Sequence, residues 1–452
     1  MSLALRSVRR ASIMNRPISP RLVIVCAAYL LLVATGFAWV NSKGTIAIAC
    51  TALIILMSIF SSSEICCRLL FICMPFFNIM GVDLGGTSLY YIIVLLFIVK
   101  AIADGTCENA GRRVMLFFVV IVATLYNFSS GLLYIKWLIH LTVPFALLGT
   151  QRFRRYLPEY IRYWTLSLVL SSFIGLIMLN SGTYLYMFGS VRTGMEVVTR
   201  FSGLVGDAVV YGQLVSVALA ANAFLSFSGK GYRLLVPACI ALVYFSLLTY
   251  SKGALVCLAL VGLSAVVLFT REALKNRLPL RHIIIFILTI AVASAASKYL
   301  AEGGTAFSLD ALLTRLDSSD LLTSRGDIWS AYIRYWGTVG PVMALRGIGF
   351  DTYISTTVFG RWHNCHSVYI EAVTLFGFLG AIVIAALLFG YFQSKRRQGA
   401  RAVSYLPAAI MLASGVILHG FIDMPFFYVW TVALGCIGYS APQYERGAGC
   451  QV

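Results

Sequence analysis

The sequence is short of charge. Of 452 residues only 12% are Asp, Glu, Lys or Arg, whereas 60% are hydrophobic and the mean hydropathy is +0.87. That scarcity excludes a soluble globular protein of ordinary composition. Most of the 11 cysteines lie in apolar stretches and only Cys365 falls clearly in an outside loop, so no extracytoplasmic disulfide framework is available. The neighbours Cys66 and Cys67 lack metal-ligand spacing and read as helix packing. No Gly-rich phosphate loop with Lys and Ser/Thr occurs, which argues against ATP hydrolysis. No cytoplasmic loop is large enough for a nucleotide-sugar site, and low-complexity linkers, a separate soluble domain and a clear internal repeat are also missing.

What is present is apolar sequence in long continuous runs. A bilayer core about 30 Å thick needs roughly 20 such residues per helix. The runs do not alternate, so helices are expected and a barrel is not. Fourteen candidate spans follow, near 22–41, 44–60, 66–82, 88–103, 114–129, 132–150, 162–180, 204–227, 234–250, 254–270, 283–299, 366–392, 403–420 and 424–441. Arg68, Lys136 and His140 lie inside or near the ends of the third, fifth and sixth, and PFFNIMGVDLGG reads as a broken or re-entrant segment. The expected fold is an all-α polytopic membrane protein.

Lysine and arginine set the orientation, because cytoplasmic loops retain them. With the N-terminus inside, 24 of the 35 basic residues and six of the 17 acidic ones fall on the cytoplasmic side, which accounts for the whole formal charge of +18. The basic balance therefore reports topology and needs no nucleic-acid partner. Residues 1–21 form a basic cytoplasmic N-terminus, 22–299 hold spans one to eleven, 300–365 form a long outside loop, 366–441 hold three more spans, and 442–452 are a cytoplasmic tail. The first span resembles a signal peptide only superficially: it lacks a small-residue cleavage site and another span follows at once.

The long loop contains LDALLTRLDSSDLL and DIWSAYIRYWGTV, with apolar residues at helical spacing and two tryptophans suited to an interface. Short amphipathic helices on the outer leaflet, roofing a cavity, are expected there. A shorter outside segment covers roughly 181–203.

Cations on the outside run against the positive-inside tendency. Single ones are explained by snorkelling, but a group of them points to an anionic ligand. Lys252 occupies a very tight turn between two spans, Arg200 opens RFSGLVGDAVVYGQ, Arg325 sits in SRGDIW, and Arg192 lies in the shorter outside segment. Three such cations are enough to hold a pyrophosphate through charge-assisted hydrogen bonds. His363 and His366 stand at the mouth of the twelfth span with Asn364 between them. They have three readings: a weakly signalled metal site with Cys365 and Asp351, structural capping of the span, or general-base work near neutral pH. His419 and Asp423 lie at the outer end of the thirteenth and fourteenth spans and either support the same cavity or form a plain loop hydrogen bond.

Taken in order, SKGA at 251–254, SRGDIW at 324–329, GIG at 347–349, His366 and GFLG at 377–380, with three spans following the long loop, resemble the O-antigen ligase and polymerase superfamily of bacterial inner membranes. The likeness covers roughly 190–441. Two departures stand out: Lys252 replaces the family's usual arginine, and Ser367 rather than asparagine follows His366, the His-Asn pair being His363 and Asn364. The resemblance implies a GT-C-like, metal-independent membrane glycosyltransferase with no cofactor. Its donor would be an undecaprenyl-pyrophosphate-linked glycan, and its acceptor another lipid-linked glycan or lipid A core. A chain-length co-polymerase is a further implied partner. His366, favoured over the alternative His363 by its spacing to Gly377, would be the base, with Arg325, Arg200, Lys252 and Arg192 serving the pyrophosphate. Polymerase is the expected activity, ligase the first alternative and a lipid-glycan transporter the second.

Overall fold

The computed structural model describes residues 20–80, 88–104, 151–182, 190–193, 196–231, 235–275, 325–348, 366–416 and 424–440. These residues are almost entirely helical. In chain order they form α1 (Pro20–Val40), α2 (Gly44–Phe60), α3 (Ser63–Cys73), α4 (Tyr90–Ala103), α5 (Gln151–Asn180), α6 (Ala208–Phe227), α7 (Val236–Leu247), α8 (Lys252–Lys275), α9 (Arg325–Thr338), α10 (Pro341–Arg346), α11 (Val368–Arg397), α12 (Leu406–Gly415) and α13 (Met424–Ser440). A short antiparallel hairpin, β1 (Ser190–Thr193) with β2 (Glu196–Thr199), is the departure from an all-helical chain among the described residues.

Four of these helices, Pro20–Val40, Phe153–Asn180, Ala208–Phe227 and Val368–Arg397, are long and apolar enough to cross a membrane. This corrects the count of fourteen: the other expected spans within the described residues coincide with apolar helices too short by themselves, except the third, whose helix Ser63–Cys73 carries Glu64 and Arg68. The causes are local. Pro75 halts α3 at Cys73 and turns the chain into a 3₁₀ turn over Met74–Phe76. Prolines at the starts of α7 and α12 fix where those helices begin. The fifth, sixth and eleventh expected spans, both terminal segments, and the loop residues 300–324 and 349–365 lie outside the described residues.

Apolar side chains cover the outside of the bundle as well as its inside. Leu30, Phe60, Leu263, Ile382 and Phe389 are each largely exposed, as expected where lipid, not water, is the surrounding medium. With no hydrophobic drive to associate in lipid, close approach of small residues does the work. Gly212 of α6 packs so tightly on α8 that an added Cβ would lie 2.2 Å from that of Ala254, and at Gly175 of α5 it would lie 2.8 Å from the Gly203 backbone. Around α6 gather α5, α7, α8, α12 and α13.

The bundle has two chemically different ends. At one, Arg68 is buried between Glu64 and Glu159 at 2.8 and 2.9 Å, and Arg21 reaches Glu64 at 3.2 Å. Lys100 donates there to the Ser58 and Ile59 carbonyls at 2.7 and 2.9 Å. Removing Arg68 would leave two carboxylates facing each other, one of them shielded from water. Arg68→Ala is expected to cost about 2–3 kcal/mol, below a fully buried pair because Glu159 is a third exposed. Thermal unfolding of the detergent-solubilised protein measures this, and an unchanged midpoint would contradict it.

Candidate functional site

At the opposite end the chain ties itself into a knot around Arg200. The six residues after it, Phe201–Gly206, are all buried. Positive φ angles at Gly203 and Gly206 give this loop its shape. Asn78 donates to the Leu204 and Val205 carbonyls at 3.1 and 2.6 Å. Asp207 then caps α6, accepting from the Val209 and Val210 amides at 2.7 and 2.8 Å. The loop is therefore fixed at both ends, and Arg200 is presented from a rigid base.

Two hydrogen bonds join that base to the turn before Lys252. Arg200 Nε donates to the Thr249 carbonyl at 3.0 Å, and the Phe201 amide donates to the Leu248 carbonyl at 3.1 Å. The turn itself is sharp: Tyr250 is buried with φ at 46°, a conformation uncommon outside glycine. The Ser251 hydroxyl caps α8 by accepting from the Ala254 amide at 3.4 Å. Lys252, the first residue of α8, is only 8% exposed. The structure thus brings Arg200 and the Lys252 turn together, although 49 residues separate Arg200 from its partner Thr249.

Arg325 and His366 open two other helices that pack on each other. Ile328 and Tyr332 of α9 form a cluster with Ile348 and Ile370, and farther along Trp336 meets Phe378 edge-on at 5.9 Å. These contacts run in the same order along α9 and α11, which sets the Arg325 end of one beside the His366 end of the other. His366 is partly exposed and carries a positive φ of 50°. Ser367, extended, leads into α11. The first turn of α11 is held to the end of α12: Tyr369 donates to the Leu412 carbonyl at 2.6 Å, and Val368 lies against Gly415.

The two halves meet through α12. Gln213 of α6 donates to Ser414 at 2.7 Å, next to the Gly415 that supports Val368. Arg200, Lys252, Arg325 and His366 consequently share one end of the bundle, away from the Arg68 cluster. Arg192 lies in β1 opposite Val197 of β2. His363, Asn364, His419 and Asp423 lie outside the described residues.

Sequence reading passed over Glu371. It is 3% exposed in the first helical turns of α11, on the face that also buries Val368 and Leu375. The signal was available: it is the one acidic residue between His366 and Arg397 in an otherwise apolar run, and a carboxylate in such a run is costly unless it has a role.

No protein-family model matches the chain, and no match to it is found among curated proteins or among solved structures.

Proposed function

We propose that the chain is a glycosyltransferase of the bacterial inner membrane that joins undecaprenyl-pyrophosphate-linked oligosaccharide repeat units at the periplasmic face. The observation that carries this reading is the sharing of one bundle end by three cations and a histidine, with Arg200 bonded to the turn that leads into Lys252. Outside cations are disfavoured by default. Held on a rigid backbone, they suit a dianionic or trianionic leaving group.

The topology proposed with it has both termini in the cytoplasm and the long loop outside. Support comes from the contacts themselves. Where contacts define them, successive helix ends alternate between the two ends of the bundle, and the ion pairs of Arg21, Arg68 and Glu159 sit opposite the Arg200 knot.

In the proposed reaction His366 removes the proton of an acceptor hydroxyl. The resulting oxygen attacks the anomeric carbon of the donor, forming the new glycosidic bond while the bond to the pyrophosphate oxygen breaks. Configuration at that carbon inverts. Arg200, Lys252 and Arg325 stabilise the charge that collects on the departing pyrophosphate. Metal ions and cofactors have no step in this scheme, since fixed cations and a histidine supply the charge and the base.

A strain lacking the gene tests the class. Accumulation of single repeat units on the periplasmic leaflet is the expected result. Repeat units trapped on the cytoplasmic leaflet would instead identify a transporter, and intact free polymer that fails to reach lipid A core would identify a ligase.

A further inference from the structure

Helix α11 is broken at Gly377, where φ is 66° and ψ 179°. In an unbroken helix each carbonyl accepts from the amide four residues ahead. Just before this break the Thr374 carbonyl accepts from the amide of Ile348, at 2.8 Å, which belongs to the segment 325–348. Gly347, with φ at 84°, lies directly on the break. A Cβ on Gly377 would sit 2.2 Å from the Leu345 oxygen, and one on Gly347 would sit 2.4 Å from both the Gly377 nitrogen and the Leu375 oxygen. All of these neighbours are backbone, so no side-chain rotation relieves the clash. Both glycines are required by close approach as well as by their left-handed φ.

The outer segment 325–348 is therefore locked to α11 by main chain, and α9 adds the Ile370 and Phe378 contacts on either side of the break. His366 begins the short arm of α11 before the break, and Arg325 begins the outer segment. We propose that Gly347 and Gly377 form a backbone clasp that positions His366 and Arg325 as one unit. When the outer segment lifts, the arm of α11 loses its external hydrogen bond and the two groups lose their shared register. The catalytic meaning of the clasp rests on the proposed glycosyl transfer; its mechanics do not.

Hydrogen exchange of the full-length protein in lipid nanodiscs tests the coupling. Gly347→Ala forces the clasp apart, and Trp336→Ala loosens segment 325–348 by removing its contact with Phe378 while leaving both clasp glycines in place. Both are expected to speed exchange in 341–348 and in 366–376 together, by about tenfold, while 208–227 keeps its wild-type protection. Faster exchange confined to 341–348 would overturn the proposal, as would unchanged exchange in both peptides. Should Gly347→Ala not fold, Trp336→Ala gives the same decision. Coupled exchange in a protein that transfers no glycan would leave the clasp standing and remove the functional reading.

Discussion

His366→Ala is expected to abolish detectable polymer while leaving the protein folded and able to bind its lipid-linked donor. A positioned general base contributes about 10²- to 10⁴-fold. The loss should appear in kcat and kcat/KM alike, because the proton is taken only as the acceptor oxygen attacks. Little structural damage is expected. His366 is partly exposed and precedes the helix proper, whose entry is fixed by Val368 on Gly415 and by Tyr369 on Leu412. The left-handed φ at position 366 costs a non-glycine residue of order 1 kcal/mol, so alanine keeps this strain and does not relieve it. A mutant that unfolds would point to capping as the residue's whole role; a folded mutant with near-normal transfer would remove His366 as base.

Deleting the charge of Lys252 or Arg325 is expected to reduce transfer about 100-fold or more, the usual worth of one well-placed donor to developing negative charge, about 3 kcal/mol. Lys252→Met is the informative variant. It keeps the apolar stem that a buried position needs and removes only the ammonium group, so packing between α6 and α8 persists. Arg325→Gln does the same for the head of α9. Arg200 is a poorer test residue, because its Nε also holds the Thr249 carbonyl and a substitution would loosen the knot. Steady-state rates with a purified lipid-linked donor decide the matter, and full activity in both Lys252→Met and Arg325→Gln would remove the pyrophosphate assignment.

The helices were largely legible in the sequence because continuous hydropathy reports them without any knowledge of partners. Their lengths were not. The interruption that starts at Pro75 was legible as a broken segment, but hydropathy runs straight through Gly377, so the break in α11 is invisible to it. The break is a property of two glycines thirty residues apart that meet only in three dimensions. Arg68 looked like a flaw in an apolar run because its partner Glu159 is 91 residues away, although Glu64, one helical turn before it, was in view. The hairpin at 190–199 was read as loop, although Val191, Thr193, Val197, Val198 and Thr199 are the β-branched residues such strands favour. At the site, residue types and their placement at the ends of apolar helices were readable. Which of them meet was not: the bond from Arg200 to Thr249 and the α9 packing on α11 depend on tertiary contact alone.

The most direct measurement places purified protein with undecaprenyl-pyrophosphate-linked repeat units and resolves the products as a ladder, comparing wild type with His366→Ala and His363→Ala. The account predicts a ladder from wild type and from His363→Ala, and none from His366→Ala. A ladder from folded His366→Ala, or no glycosyl transfer by wild type to either a lipid-linked repeat unit or lipid A core, would contradict it.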